Sequence, residues 1–138
     1  MLKINDDDLE YNPETGLYHY QDTPFTGQAV EYFPDNTLSY EATFKNGLKD
    51  SIQKRWYPSG ILDAVYHSLK GGGHGTNQEW YESGKIRKEE IIEFGVIIQT
   101  TEWDERGNVI EKYVLRESDP VHRILHVRRQ KWGNSKSN

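Results

Sequence analysis

The 138-residue chain contains no cysteine and one methionine. Without cysteine there is no disulfide framework, no thiol nucleophile and no thiolate metal site. Hydrophobic residues are also scarce, at 34% against 28% charged. No apolar run approaches the roughly 20 residues that span a bilayer. The longest, around Ile91–Ile98, is broken by Glu93 and Gly95. The opening MLKINDDDLEY has neither the basic start nor the apolar core of a secretory signal, so a cytoplasmic location is expected. What the chain does have is aromatics: nine Tyr, four Trp and four Phe. Each buries about 150–250 Å², so one domain can build a core from few residues.

Charge is unevenly spread. Residues 1–115 hold 11 Lys+Arg and 20 Asp+Glu, a net of −9; residues 116–138 hold 6 and 2, a net of +4. An acidic body repels nucleic acid and anionic lipid and attracts basic proteins. No nucleic-acid partner is therefore expected, and membrane binding is disfavoured. The basic end is expected to dock on the acidic body, with an acidic partner or anionic membrane as the competing reading.

The dominant feature is an internal repeat. Four segments follow one pattern of aromatic, second aromatic or Asp, two variable residues, Gly or Asn, one residue, aliphatic. They begin at Tyr32, Trp56, Trp80 and Trp103, spaced by 24, 24 and 23 residues. Gly60, Gly84 and Gly107 fill the glycine slot, and Asn36 fills it in the first segment. A second series, Gly47, Gly71 and Gly95, runs midway between them. A third, Gly27 and Gly75, precedes the aromatics by five residues, with Ser51 and Ile98 in the other two slots.

Two turn residues tolerant of positive φ in every 24 positions mean two tight turns. About nine residues between turns make one β-strand. Each repeat is thus a β-hairpin, and the chain is an all-β meander of antiparallel strands with about four repeats. Strands are expected at 16–20, 25–33, 38–45, 50–57, 61–68, 75–81, 85–94, 96–103 and 108–115. Asp119 and Pro120 then open a short amphipathic helix over 120–132, with Val121, Ile124, Leu125 and Trp132 near one stripe. The domain plan is an acidic lead-in at 1–15, the repeat array at 16–115, a C-terminal segment with its capping helix at 116–132 and a flexible tail at 133–138.

Chemical motifs are few. The four repeat aromatics are expected as the core of the hairpin stack rather than as a base-stacking platform. Gly71–Gly75 lacks the Gly-Lys-Ser/Thr ending of a phosphate loop and reads as a hairpin turn. His122 and His126 have metal-binding spacing but no further ligand, so no metal or other cofactor is expected. No G-x-S-x-G elbow occurs and no carboxylate pair stands out, so catalysis is not expected. One column of residues differs from the rest. The residue before each repeat aromatic points away from the aromatic's face and reads Glu31, Arg55, Glu79, Glu102. Glu41, Asp63 and Glu89 on the outgoing strands are expected to add to this face. It reads either as an ordinary solvated surface or as an acidic surface for a basic protein.

The stretches Trp56–Leu62 and Gly75–Ile86 resemble the variant MORN repeat of bacteria, and the chain is similar to the YwqK-type antitoxin family. The resemblance covers about residues 16–115. It departs at Ser51 and Ile98, where Gly is expected, and at Asp104, where a second aromatic is expected. It implies a non-catalytic hairpin array and a protein that neutralises a cognate toxin by binding it. A structural scaffold or membrane-surface adaptor is the alternative, and an enzyme hidden in the array a further one.

Overall fold

The fold is that of a computed structural model, which describes residues 1–133. Beyond Gly133, the tail expected at 133–138 lies outside the described residues. The chain runs through β1 (Lys3–Asn5), a single 3-10 turn (Asp6–Asp8), β2 (Glu10–Asn12), β3 (Leu17–Tyr20), β4 (Thr23–Pro24), β5 (Gly27–Tyr32) and β6 (Leu38–Lys45). It continues through β7 (Leu48–Trp56), β8 (Leu62–Leu69), β9 (Gly72–Gly73), β10 (Gly75–Trp80), β11 (Ile86–Glu93), β12 (Val96–Trp103), β13 (Val109–Val114) and α1 (Pro120–Trp132). The main sheet has the order β1-β5-β6-β7-β8-β10-β11-β12-β13, with β9 paired to β8; β2, β3 and β4 form a small second sheet. All pairs are antiparallel except β1 with β5, which is parallel.

Four equivalent turns explain the repeat. In each, the residue after the aromatic both donates to and accepts from the backbone: Phe33, Tyr57, Tyr81 and Asp104 bond to Thr37, Ile61, Lys85 and Asn108 at 2.8–2.9 Å. Asn36, Gly60, Gly84 and Gly107 take φ of +69°, +90°, +90° and +88°, which only Gly or Asn adopts at little cost. The register shifts by one residue at each aromatic: Glu31/Tyr32, Arg55/Trp56, Glu79/Trp80 and Glu102/Trp103. Every repeat therefore carries a β-bulge beside its turn, which bends and twists the ribbon.

The midway turns Asn46-Gly47, Lys70-Gly71 and Phe94-Gly95 have positive φ at both residues, as I′ hairpins require. Each glycine N–H also donates backwards, Gly47 to Phe25 O, Gly71 to Lys49 O and Gly95 to Gly73 O, at 2.8–2.9 Å. The donors and acceptors both step by 24 residues, so one seam is used three times. A second seam uses side chains. The Tyr57 hydroxyl donates to Trp80 O at 2.6 Å and the Tyr81 hydroxyl to Trp103 O at 2.7 Å. Asp104 belongs to the last hairpin of the described residues, where no further repeat follows to be stapled. Its carboxylate instead accepts from the N–H groups of Arg106 and Asn108 at 2.9 Å. Ser51 holds φ +66°, so the slot stays at positive φ there without glycine, though not at the +149° and +124° of Gly27 and Gly75, whereas Ile98 sits in ordinary strand geometry.

Three features differ from the sequence-based expectation. The lead-in at 1–15 is structured, because Ile4 is buried beside Ala29 and pulls β1 into the sheet. The repeat aromatics are not the core: Tyr32 is 50% exposed, and Trp56, Trp80 and Trp103 are half-buried beside their turns. The bulge places them at the rim, and the buried positions along the array are Ala29, Val30, Ala42 and Ala64, with Gln53, Asn77 and Thr101. Two true cores sit at the ends. Near the start, Phe25 and Phe44 pack with Ile4, Leu9, Tyr18 and Tyr20. Near the end, Leu125 packs on Phe94 and Val96. Within α1 only Leu125 is buried; Val121, Ile124 and Trp132, expected on the same stripe, are exposed.

Candidate functional site

Cross-strand partners share one face of a sheet. The registers therefore define a row across the array: Glu31, Tyr40, Arg55, Ala64, Glu79, Lys88, Glu102, Glu111. Glu31, Arg55, Glu79 and Glu102 come from the incoming strands β5, β7, β10 and β12. Eight residues after each lies the residue that the bulge makes extra. In the second repeat this gives Arg55 with Asp63, where Arg55 Nε donates to Asp63 Oδ2 at 2.8 Å. In the third it gives Glu79 with Arg87, the same pair with its charges exchanged. Glu79 also accepts from the Tyr66 hydroxyl at 3.0 Å. In the first and fourth repeats the slot holds Ser39 and Ile110, which carry no charge. The acidic column is thus neutralised in its middle and acidic at its two ends.

Glu31, at one end, faces Asp6. A side-chain hydrogen bond with the Asp6 carboxyl, partial burial, and the charges of Asp6 and Asp7 hold its carboxyl above the usual carboxylate range. Burial, with the charges of Asp6 and Glu31, pushes the neighbouring Tyr40 phenol up to about 12. Because the Glu31 carboxyl is raised by folding, its stabilising contribution is complete below the ordinary value of 4.5 and is lost as pH rises through the folded value. Glu31→Gln is therefore expected to melt higher than the native chain at pH 7. The gap should close as pH falls to about 4, where the native carboxyl is largely protonated. Equal melting temperatures at pH 7 would show that no repulsion is stored there.

Glu102, at the other end, lies directly opposite Glu111, and neither takes part in an ion pair among the described residues. Glu111 was not legible as part of this site from the aromatic spacing alone. The signal lay in a different series, Tyr40, Ala64, Lys88 and Glu111, the outgoing members of the same row.

Glu41 and Glu89 are on the opposite face from Glu31, Glu79 and Glu102, contrary to expectation. They belong to the row Val30, Glu41, Lys54, Val65, Gln78, Glu89, Thr101, Lys112. Counting outward from the turns without a bulge sets Glu41 against Ala29 and Glu89 against Asn77. The bulge shifts each by one residue and so flips its face. Each accepts from a glutamine, Glu41 from Gln28 and Glu89 from Gln78, both at 3.1 Å.

Two basic residues of α1 bond to the sheet. Arg129 grips Glu93 with two hydrogen bonds at 2.8 and 2.7 Å, and Arg128 donates to Phe94 O at 2.7 Å. Between α1 and the last strands lies a groove of about 610 Å³, lined by Ile97, Tyr113, Val121 and Ile124, with Glu102, Glu111, Lys88 and Arg128 among its walls. Among the described residues, no three or more His, Asp and Glu gather as a metal site requires. Nor is any helix there long and apolar enough to cross a membrane.

Hairpins stitched every 24 residues, with an aromatic at each bulge, define a MORN-type array. The family model for the MORN repeat variant matches residues 25–46 and 73–91. Over 107 residues the chain is 32% identical to the immunity protein YwqK of Bacillus subtilis (strain 168), an alignment covering 78% of this chain and 70% of that protein. The chain belongs to the YwqK-type family of MORN-repeat proteins.

Proposed function

We propose that this protein is an immunity protein that neutralises a basic cognate toxin by binding and covering it. The observation that carries this reading is its 32% identity to a protein named for immunity. The charge distribution supports it, because the acidic body suits a basic partner and speeds association with one. The mode is occlusion: a rigid array presents the acidic ends of its row, and the partner's own working surface is buried against it. The compartment is the cytoplasm, where such a toxin would be held before release.

A tagged copy should retain one stoichiometric basic protein from the native host at low salt and release it at high salt, since exposed charge pairs are screened. That protein should be toxic when expressed alone. Retention of no specific protein, or of a mixed set of membrane proteins, would replace immunity with the scaffold reading. Charge reversal belongs at Glu102 rather than Glu79, whose removal strands Arg87 and Tyr66. Glu102→Lys is expected to slow association about tenfold and leave the fold intact, checked by stopped-flow mixing at two salt concentrations.

A further inference from the structure

The sheet stops at β13, and the repeat itself describes what belongs beside it. Three times the outgoing strand of one hairpin receives the incoming strand of the next: β6 receives β7, β8 receives β10, and β11 receives β12. Beyond β13 the described chain supplies no such strand. It leaves through Leu115, whose N–H bonds to Ile98 O, and crosses to α1.

The edge left behind is unlike a protected one. It is six residues long and has no proline, and Val109, Ile110 and Val114 are each more than half exposed. Natural edges are short, charged or covered, because an open row of N–H and C=O groups recruits another strand. The far edge follows that rule: β1 has three residues and runs straight into Asp6–Asp8.

The row also states the chemistry of the absent neighbour. Tyr40, Ala64 and Lys88 face Arg55, Glu79 and Glu102 across the three seams. Lys88 thus meets a carboxylate. Glu111 has the like-charged Glu102 on its inner side and no strand on its outer side. Two opposed carboxylates cost stability unless a cation joins them. Beside them the groove offers Ile97, Tyr113, Val121 and Ile124 to apolar side chains.

We propose that β13 receives an extended basic strand of the protein partner. That strand takes the place of a fifth incoming strand, with an arginine or lysine opposite Glu111 and apolar residues entering the groove under α1. This is addition of a strand to an open sheet edge, where backbone bonds give affinity and side-chain slots give selectivity. A second copy of the chain fits poorly. In the two same-face antiparallel registers nearest full overlap, Glu111 meets Glu111 or Lys112 meets Lys112. The proposal rests on the protein-binding reading above, but its test needs no toxin.

The probe is a capped nine-residue peptide with valine, valine, arginine, valine and valine at its odd positions and threonine at its even ones, so that the arginine and the valines share the face of Glu111 and the groove. It is titrated into the isotopically labelled full chain and followed by NMR. The expected result is shifts confined to β13, α1 and the groove, with slowed amide exchange along 109–114. Glu102→Gln/Glu111→Gln should weaken binding at least tenfold while melting at the same or a higher temperature, since the two carboxylates repel. The same peptide with alternate amides N-methylated should not bind. The edge assignment is overturned by absent binding, by shifts centred on Glu31 or on the Glu41 face, by equal binding to the double variant, or by equal binding of the methylated peptide. It is also overturned if sedimentation shows the free chain already paired through β13. Binding at β13 with no partner captured from the host would sink the immunity reading alone. A captured toxin indifferent to the double variant would sink the edge alone.

Discussion

Replacing Phe44 by alanine is expected to cost about 3–5 kcal/mol, the usual penalty for deleting a buried phenyl ring. Phe44 is 2% exposed and joins the main sheet to the small N-terminal one. Its ring lies 5.7 Å from Phe25 and 5.4 Å from Tyr18, in tilted and edge-on arrangements. Removing it opens a cavity whose walls are strands already bonded in register, so collapse is limited. A domain of this size has about 5–15 kcal/mol in total, so the loss is between about a fifth and the whole of it. Its melting temperature should fall by roughly 10–20 °C. Denaturant titration gives the number directly. A cost below about 1 kcal/mol would mean that β2, β3 and β4 do not pack as described.

Leu125→Ala is expected to cost about 2–5 kcal/mol, but locally. Leu125 is 1% exposed and is the only buried residue of α1, where it contacts Phe94 and Val96. The remaining attachments are the exposed Trp132 ring, edge-on to Phe94 at 5.8 Å, and polar contacts. The Arg129–Glu93 pair is exposed and contributes at most about 1 kcal/mol. Without its one buried apolar anchor the helix should open while the sheet stays formed. Native-state hydrogen exchange separates the two. Amides of 121–132 should lose protection by a factor of 30 or more, and those of β5–β8 should keep theirs. Equal loss in both would show that helix and array unfold as one unit, and unchanged helix protection would remove Leu125 as the anchor.

The turns were legible because their chemistry is local. Asn36, Gly60, Gly84 and Gly107 mark positive φ wherever they stand, so strand limits read from them fall within one or two residues of the observed ones. What escaped depends on partners distant in sequence. Lys3–Asn5 has no alternation worth the name, and it becomes a strand because Ala29 leaves room for Ile4. Aromatic rings at fixed spacing look like a core, yet spacing is silent on the bulge that carries Trp56, Trp80 and Trp103 to the rim. The same bulge misled the face of Glu41 and Glu89. It left Asp63 beside Arg55, because there the extra residue is the acid itself. Of the candidate surface, the column before the aromatics was readable, but its internal neutralisation by Arg87 was not. Arg87 lies eight residues from Glu79, and only a shifted register makes that a contact.

The thrice-used seam has an evolutionary consequence. Gly47, Gly71 and Gly95 reach back to Phe25, Lys49 and Gly73 through one geometry, so a hairpin meets its neighbour in the same way wherever it stands. A duplication of 24 codons inside the array therefore arrives with both its joints ready-made. Neither the phenylalanine plug at the start nor the helix at the end needs to change to receive it. Lineages of such a chain can grow or shorten by whole hairpins, and each new length moves the terminal edge outward while leaving its residues free to diverge with whatever they meet.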